Sequence, residues 1–107
     1  MKISRTYAPR TLSALSTLGQ QITVERRRRG WTQAALAERA GVSPTTLLSI
    51  EKGSPKAAIG TVFEVAGLLG IPLVGASDPA ARQMLEERLA ILPQRVHQPK
   101  TEFDDDF

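Results

Sequence analysis

The chain has 107 residues, enough for one compact domain with tails, and its 14 Lys and Arg outnumber its 11 Asp and Glu. It contains no cysteine and one histidine, His97, which argues against disulfides, thiolate metal sites and His-based metal or catalytic clusters. No apolar stretch reaches membrane-spanning length and the first residues lack a signal-peptide core, so we expect a soluble cytoplasmic protein.

The net charge of +3 hides an asymmetry between the two halves of the chain. Residues 1–56 carry ten basic and three acidic side chains, whereas residues 57–107 carry four basic and eight acidic ones. A basic surface favours contact with phosphates, which is the electrostatic requirement of DNA binding. The first half is therefore the half in which a nucleic-acid interface is expected.

Residues 1–10 mix polar and apolar types around a proline, which predicts a flexible basic arm. Such an arm can reach DNA phosphates or the minor groove, although a disordered start fits the same composition. Its cations, all expected to be exposed, are Lys2, Arg5 and Arg10.

Apolar residues recur at steps of three and four from Leu12 to Ile22, which predicts a first helix over 11–29. Gly19 disfavours helix and leaves two alternatives. The segment is either one long helix or a short turn followed by a helix from about Leu18.

Four adjacent arginines, Arg26–Arg29, end this helix, where cations are favourable. Adjacent residues point around the whole helix, so the four cannot all face one partner. We expect Arg27 and Arg28 to contact DNA phosphates. Trp31, the only tryptophan, precedes a helix cap and is predicted to pack in the core rather than to stack on a base.

Residues 32–53 hold two short helical patterns joined by a turn. Thr32 is a good cap for a helix over Gln33–Ala40, and Gly41 ends that helix because glycine accepts left-handed backbone. Ser43 caps the second helix, whose first position is a proline that needs no hydrogen-bond partner for its nitrogen.

The spacing of small and apolar residues indicates how this pair of helices packs. Ala37 leaves room for a close crossing, and Val42, Leu47 and Ile50 form an inward face. This pattern is typical of a helix-turn-helix, which lays its second helix in the major groove of DNA. An ordinary helical hairpin is the alternative interpretation.

The outward face of the second helix carries small hydroxyl side chains and no Arg, Asn or Gln. This predicts modest direct readout of bases and a contribution from DNA shape. Phosphate contacts are expected at the helix starts and just beyond the helix. The residues predicted to bind DNA are Arg27, Arg28, Gln33, Ser43, Pro44, Thr45, Thr46, Ser49, Lys52 and Lys56.

A fourth helix is predicted over 59–69, because apolar residues recur on one stripe. The stripe consists of Ile59, Val62, Phe63, Ala66 and Leu69. Gly70 ends the helix, and the apolar run 71–74 that follows is predicted either to pack on the core or to form a short strand with a partner subunit.

A fifth helix is predicted to begin at Ser77-Asp78-Pro79, which combines a cap with a proline at the first position, and to run to about Ile91. Its apolar side either completes the core of the monomer or forms a seam in a dimer. The residues on that side are Ala81, Met84, Leu85, Leu89 and Leu92.

Residues 93–107 contain two prolines, few apolar residues and three aspartates, which predicts a disordered acidic tail. Phe103 and Phe107 bracket the acidic run. They are candidate anchors for another protein, in a peptide that folds on binding. A tail that only promotes solubility is the alternative.

The segment from about Leu18 to Leu73 resembles the Xre/Cro family of DNA-binding proteins. The residues that carry the resemblance are LGQQITVERRRRGWTQAALAERAGVSPTTLLSIEKG and GTVFEVAGLLGIPL. The second stretch is most similar to the HipB-type antitoxins, which are encoded beside HipA-type kinase toxins. The small side chains on the predicted recognition helix depart from the family pattern in which glutamines or lysines read bases, so the operator sequence stays open.

The resemblance implies a five-helix fold, a two-fold dimer and binding to a palindromic operator in the promoter of a toxin–antitoxin operon. It also implies roles for particular residues, with a C-terminal aromatic residue, Phe103 or Phe107, engaging the toxin. Gln33 would hold phosphate, Thr46 and Lys52 would support the backbone contact, and Ser43, Pro44, Thr45 and Ser49 would face the bases.

We therefore expect an all-α, lambda-repressor-like fold, with an arm at 1–10, a DNA-binding and dimerisation domain at 11–92 and a tail at 93–107. The expected function is that of a nucleoid-associated autorepressor and antitoxin of a HipA-like kinase, without cofactor or metal. A stand-alone, phage-like regulator and a protein–protein adaptor are the alternatives. An enzyme is not expected, since the chain has no paired acids, nucleophile–base constellation or glycine-rich phosphate loop.

Overall fold

The computed structural model describes residues 6–73 and 78–95. These residues form five helices and no strand, which confirms the predicted all-α fold. The bounds are Pro9–Arg28 for α1, Gln33–Ala40 for α2, Pro44–Glu51 for α3, Ile59–Leu68 for α4 and Pro79–Ile91 for α5. The first four helices belong to one compact unit, Met1–Val74, and α5 belongs to a second, Gly75–Phe107.

The first helix is one uninterrupted element that begins at Pro9, two residues before its predicted start. Proline suits the first helical turn, where its missing N–H leaves no hydrogen bond unmade. Arg10, which was predicted to lie in a flexible arm, is thus an exposed residue of α1. Lys2 and Arg5 lie outside the described residues.

Gly19 lies where the backbone of α1 meets the end of α3 at close range. A methyl group at position 19 would lie 2.7 Å from the carbonyl oxygen of Ile50, and closer still to that of Glu51. Real Cβ atoms do not approach oxygen so closely, and the obstacle is backbone rather than a flexible side chain. Gly19 is therefore required for the packing of α1 on α3, and the predicted alternative of a turn at this point is wrong.

The turn between α2 and α3 has the geometry that its sequence predicts. The Thr32 hydroxyl accepts a hydrogen bond from the Ala35 N–H at 3.0 Å, and the Ser43 hydroxyl accepts one from the Thr46 N–H at 3.1 Å. Gly41 between the two helices has φ of 72°, in the region where a side chain would be strained. The two caps and the glycine together set the positions at which the helices end and begin.

The core of the first unit takes apolar side chains from all four of its helices. Leu36 and Ala37 of α2 face Leu47 and Ile50 of α3, as the helix-turn-helix pattern predicts. Among the residues that the structure describes, the buried apolar ones are Ile22, Leu36, Ala37, Leu47, Ile50, Val65, Ala66, Leu69 and Ile71.

The predicted inward stripe of α4 is only partly correct. Ala66 and Leu69 are buried, but Ile59 and Phe63 are 71% and 41% exposed, and Val65 is fully buried in their place. Apolar residues lie on more than one side of α4, so periodicity could not select the buried side. Packing against α2 makes that selection.

The apolar run after α4 packs on the core as one of its two predicted roles requires. Ile71 is 8% exposed and Leu73 packs against the buried cluster. Residues 71–73 form no strand, and Val74 lies outside the described residues.

The fifth helix is capped by Asp78, whose carboxylate accepts hydrogen bonds from Ala80 N–H at 3.1 Å and Ala81 N–H at 3.4 Å. Ser77 lies outside the described residues. No residue of α5 is buried, and both predicted roles of its apolar side stay predictions. The exposed fractions are 54% for Met84, 61% for Leu85, 71% for Leu89, 81% for Ile91 and 59% for Leu92.

We predict that Gly19→Ala destabilises the protein although alanine is the better helix former. Overpacking against backbone costs about 1–3 kcal/mol, which exceeds the roughly 1 kcal/mol that alanine contributes in a helix. The matched control is Gly67→Ala in α4, where the added methyl meets nothing within 4 Å and is expected to raise the free energy of unfolding. Urea denaturation measures both variants, and a Gly19→Ala protein as stable as the parent would contradict the proposed close crossing.

Candidate nucleic-acid interface

The outer face of α3 is a small polar surface on a helix whose other face is buried. Leu47 and Ile50 are 0% and 2% exposed, whereas Thr45 is exposed and Ser49 is half-buried. Pro44 is exposed at the start of the helix, and Leu48 is 39% exposed. The residues predicted to face the bases therefore lie on the outside of the subunit and not in its core.

The hydroxyls on this face differ in how far they are already engaged. Ser43 donates to the Thr46 hydroxyl at 2.9 Å while accepting from the Thr46 backbone N–H, so both side chains belong to the helix cap. Thr45 and Ser49 make no side-chain hydrogen bond within the described part of the chain. Their hydroxyls are therefore the ones best able to bond a base edge or a phosphate.

A groove of about 330 Å³ runs beside α3 toward the start of α4. Its hydroxyl-bearing walls come from both helices and from the loop between them, and Lys56 adds a cation. The hydroxyls belong to Thr45, Thr46, Ser49, Ser54 and Thr61. Lys56 and Lys52, which follows α3, are both exposed, as phosphate contacts require.

The arginine run at the end of α1 divides into different environments, as its helical spacing predicts. Arg26 is buried, while Arg27 and Arg28 are exposed. Arg28 and Arg29 form ion pairs with Glu25 at 3.3 Å and 2.9 Å, and exposed pairs of this kind contribute little to stability. Arg27 forms no ion pair among the described residues, which leaves its charge available to a phosphate.

Trp31 packs against the core and is half-buried, which confirms its predicted role. The guanidinium of Arg39 lies 4.3 Å from the centre of the indole ring. This is a cation–π contact, so the exposed Arg39 covers a face of the ring that a base would need for stacking.

Arg26 and Glu51 form a buried ion pair that joins α1 to the last residue of α3. Arg26 Nε donates to Glu51 Oε2 at 2.8 Å, and Arg26 Nη2 donates to Oε1 at 3.1 Å. The side chains of Arg26 and Glu51 are 9% and 5% exposed. Arg26 Nη1 also donates to the Trp31 carbonyl at 2.9 Å, so the pair is satisfied from several sides.

Two further side chains complete the partners of the Glu51 carboxylate. Gln33 Nε2 donates to Oε1 at 3.0 Å. The Thr23 hydroxyl lies 3.0 Å from Oε1 and also 3.0 Å from the Gly19 carbonyl oxygen, and its single proton serves one of these two acceptors at a time. Burial opposes ionisation of Glu51, but the hydrogen bonds that it accepts, foremost that from Arg26, hold the pKa of its carboxyl below the usual value. Glu51 is therefore a charged residue at neutral pH in spite of its burial.

The sequence interpretation missed this network, although a signal for it was present. Arg26 follows Ile22 by four residues on the buried side of α1, and Glu51 follows Leu47 by four residues on the buried side of α3. Opposite charges on two buried faces indicate a pair, because an isolated buried charge is costly.

The predicted phosphate ligand Gln33 is thus placed beside Glu51, at the first position of α2. It is half-buried. Its amide nitrogen has two hydrogens and the bond to Glu51 uses one, so a second donor remains for the predicted phosphate contact.

The capped pair α2–α3, packed under α1 and α4 with the polar face of α3 outward, defines a helix-turn-helix protein. Residues 24–75 match the helix-turn-helix family model HTH_3. This segment of the chain is a helix-turn-helix domain of the Xre/Cro type.

Among solved structures, the chain is similar to a complex of a single-substitution HipB variant with an O2 20mer. The TM-score is 0.50 at 23% sequence identity, over 68% of this chain and 93% of the HipB chain. At that identity the likeness supports the fold. A comparison with curated protein sequences gives no significant match.

Within residues 6–73 and 78–95, no helix is both long and apolar enough to cross a membrane. In the same residues, no three His, Cys, Asp or Glu side chains are grouped so that they could hold a metal ion.

Proposed function

We propose that this protein is a sequence-specific DNA-binding transcriptional repressor that acts on the promoter of its own operon. The observation that carries the proposal is the outward face of α3 on a capped helix-turn-helix, where the hydroxyls of Thr45 and Ser49 make no hydrogen bond to any described residue. A buried or apolar face at this place would not suit a nucleic acid. Acting on the nucleoid, such a repressor works in the cytoplasm.

In the proposed complex α3 lies in the major groove. Thr45 and Ser49 contact base edges, with Pro44 and Ser43 against the edges or methyl groups at the start of the helix. Side chains around the edge of this face bind the DNA phosphates. These are Arg27, Arg28, Gln33, Thr46, Lys52 and Lys56.

Each contact from such a face is expected to distinguish one base from another only weakly. A hydroxyl bonds several bases, whereas bidentate pairs from Arg, Asn or Gln distinguish them strongly. Specificity then depends on DNA shape at positions that the protein does not touch. Affinity depends on counterion release, so binding is expected to fall steeply as salt rises.

We predict that Thr45→Ala/Ser49→Ala lowers affinity for DNA from the region upstream of its own gene by about tenfold or more, since a lost base contact costs about 1–3 kcal/mol. Lys56→Ala should instead weaken specific and non-specific DNA alike and reduce the salt slope by about 1. The control is Arg82→Ala, which removes an exposed cation from α5. Titration at several salt concentrations measures all three, and unchanged affinity in the double variant would favour the adaptor alternative.

We further propose that the protein binds its operator as a two-fold dimer joined through α5. The support is that four large apolar side chains of this helix, and that of Leu92 directly after it, are more than half exposed. An isolated helix of this length is marginal in water, and burying such a face against its symmetry mate stabilises it. Two-fold symmetry implies a palindromic operator, with half-sites about 10 base pairs apart or a multiple of that spacing.

Leu89→Glu is therefore expected to convert the dimer to a monomer in sedimentation analysis and to reduce a two-patch footprint to one patch. The matched control is Gln83→Glu, which adds the same charge to α5 at an exposed polar position. If Leu89→Glu stayed dimeric, α5 would not be the seam.

We also propose that the repressor is the antitoxin of a HipA-like kinase. The support is the resemblance of GTVFEVAGLLGIPL to HipB-type antitoxins, together with the HipB-like fold. Phe103 and Phe107, which lie outside the described residues, are the proposed anchors. A stand-alone regulator, the alternative, would have no such partner.

Co-expression with a HipA-like kinase encoded beside the gene tests this part. We expect the kinase to be captured by the tagged protein, and Phe103→Ala/Phe107→Ala to reduce capture while DNA binding is kept. Asp104→Asn, between the two aromatic residues, is the control. Failure to capture the kinase would leave the stand-alone regulator.

A further inference from the structure

We propose that Glu51 is a positioning residue for DNA binding, which holds the Gln33 side-chain amide in the orientation that donates to a phosphate. The inference rests on the proposed function, because it specifies how one phosphate contact of that interface is made. It assigns a role to a buried acid that lies at the end of the recognition helix and touches no DNA itself.

The first step is the orientation of the amide. Gln33 Nε2 lies 3.0 Å from Glu51 Oε1. An ionised carboxylate has only acceptor oxygens, so the amide must turn its NH₂ group, and not its carbonyl oxygen, toward Glu51. One N–H is used in this bond, and the second N–H projects from the same nitrogen at a fixed angle.

The second step is that Glu51 cannot follow the amide if it rotates. Arg26 holds both carboxylate oxygens, at 2.8 Å and 3.1 Å, and the Thr23 hydroxyl, which Oε1 shares with the Gly19 carbonyl, lies 3.0 Å from Oε1. The Glu51 side chain is 5% exposed, so these protein groups surround most of the carboxylate. The carboxylate is thus a fixed reference against which the flexible side chain of Gln33 is oriented.

The third step concerns what orientation contributes. A free glutamine on a helix surface samples several rotamers and loses that freedom when it binds phosphate. A side chain already held in one orientation loses less, so preorganisation strengthens the contact without adding one. Phosphate is a pure acceptor, as the carboxylate is, and the two N–H groups of one amide can serve both.

The distinguishing experiment is a double-mutant cycle of Glu51→Gln and Gln33→Ala on DNA from the upstream region. Gln33→Ala is expected to weaken binding about tenfold or more, as loss of a hydrogen bond to a charged group does. Glu51→Gln should weaken it by a similar factor alone and by less than twofold when Gln33 is already alanine. If Glu51→Gln reduced DNA affinity by the same factor with and without Gln33, the proposal would be overturned, because Glu51 would then act through the placement of α3.

Thr23→Val is the matched control, since it removes another donor to Glu51 without touching Gln33. We expect lower thermal stability and DNA affinity within twofold of the parent. A loss of affinity equal to that of Glu51→Gln would show that any damage to the network weakens binding, against the proposal.

A measurement on the unaltered, DNA-free protein guards against a Glu51→Gln protein that fails to fold. The side-chain NH₂ of Gln33 is expected to be as ordered as the backbone in NMR relaxation, unlike that of the exposed Gln20 and Gln21. If the side-chain NH₂ of Gln33 were as mobile as those of Gln20 and Gln21, the positioning role would be refuted. Failure of the proposed function is a separate result, namely no binding by the parent protein while the Gln33 amide stays ordered.

Discussion

The close contact between α1 and the end of α3 is the constraint on which the rest of the structure depends. Gly19 lets the two backbones meet, and Arg26 and Glu51 lie paired in the space beside them. Removing one partner of such a pair leaves an uncompensated buried charge, which costs about 3–5 kcal/mol. Helix α3 is therefore fixed to α1 at its carboxyl-terminal end, and its outer face does not contribute to this packing.

This way of holding α3 separates stability from DNA recognition. Leu47 and Ile50 bind the helix to the core, and Glu51 ties it to α1. Thr45 and Ser49 take no part in either contact, so the base contacts proposed for them place no demand on the packing of α3. The same network reaches Gln33, and through it connects the packing of the helices with the edge of the proposed phosphate surface.

The positions of the helices follow from the spacing of apolar residues and from the capping residues at their ends. The five helices lie where predicted to within about two residues, because their ends are set by short-range features such as the Ser43 cap, the Asp78 cap and the glycine at position 41. The inward face of the helix-turn-helix was predictable for the same reason. The apolar residues of these two short helices lie on one side of each helix, so only that side can face the core.

What the amino-acid order by itself determined was the helices, their ends and the hydroxyl-bearing face of α3, because each depends on neighbours a few residues away. Tertiary structure alone decided that Gly19 is a point of contact between helices and does not interrupt α1. It also decided that Val65 is buried where Phe63 was expected, and that Arg26, unlike the neighbouring arginines, pairs with Glu51. These outcomes depend on which backbones and charges meet across 25 residues or more of chain. The spacing of Arg26 and Glu51 indicates that each lies on the buried side of its helix, but which groups meet there is settled only when the helices pack.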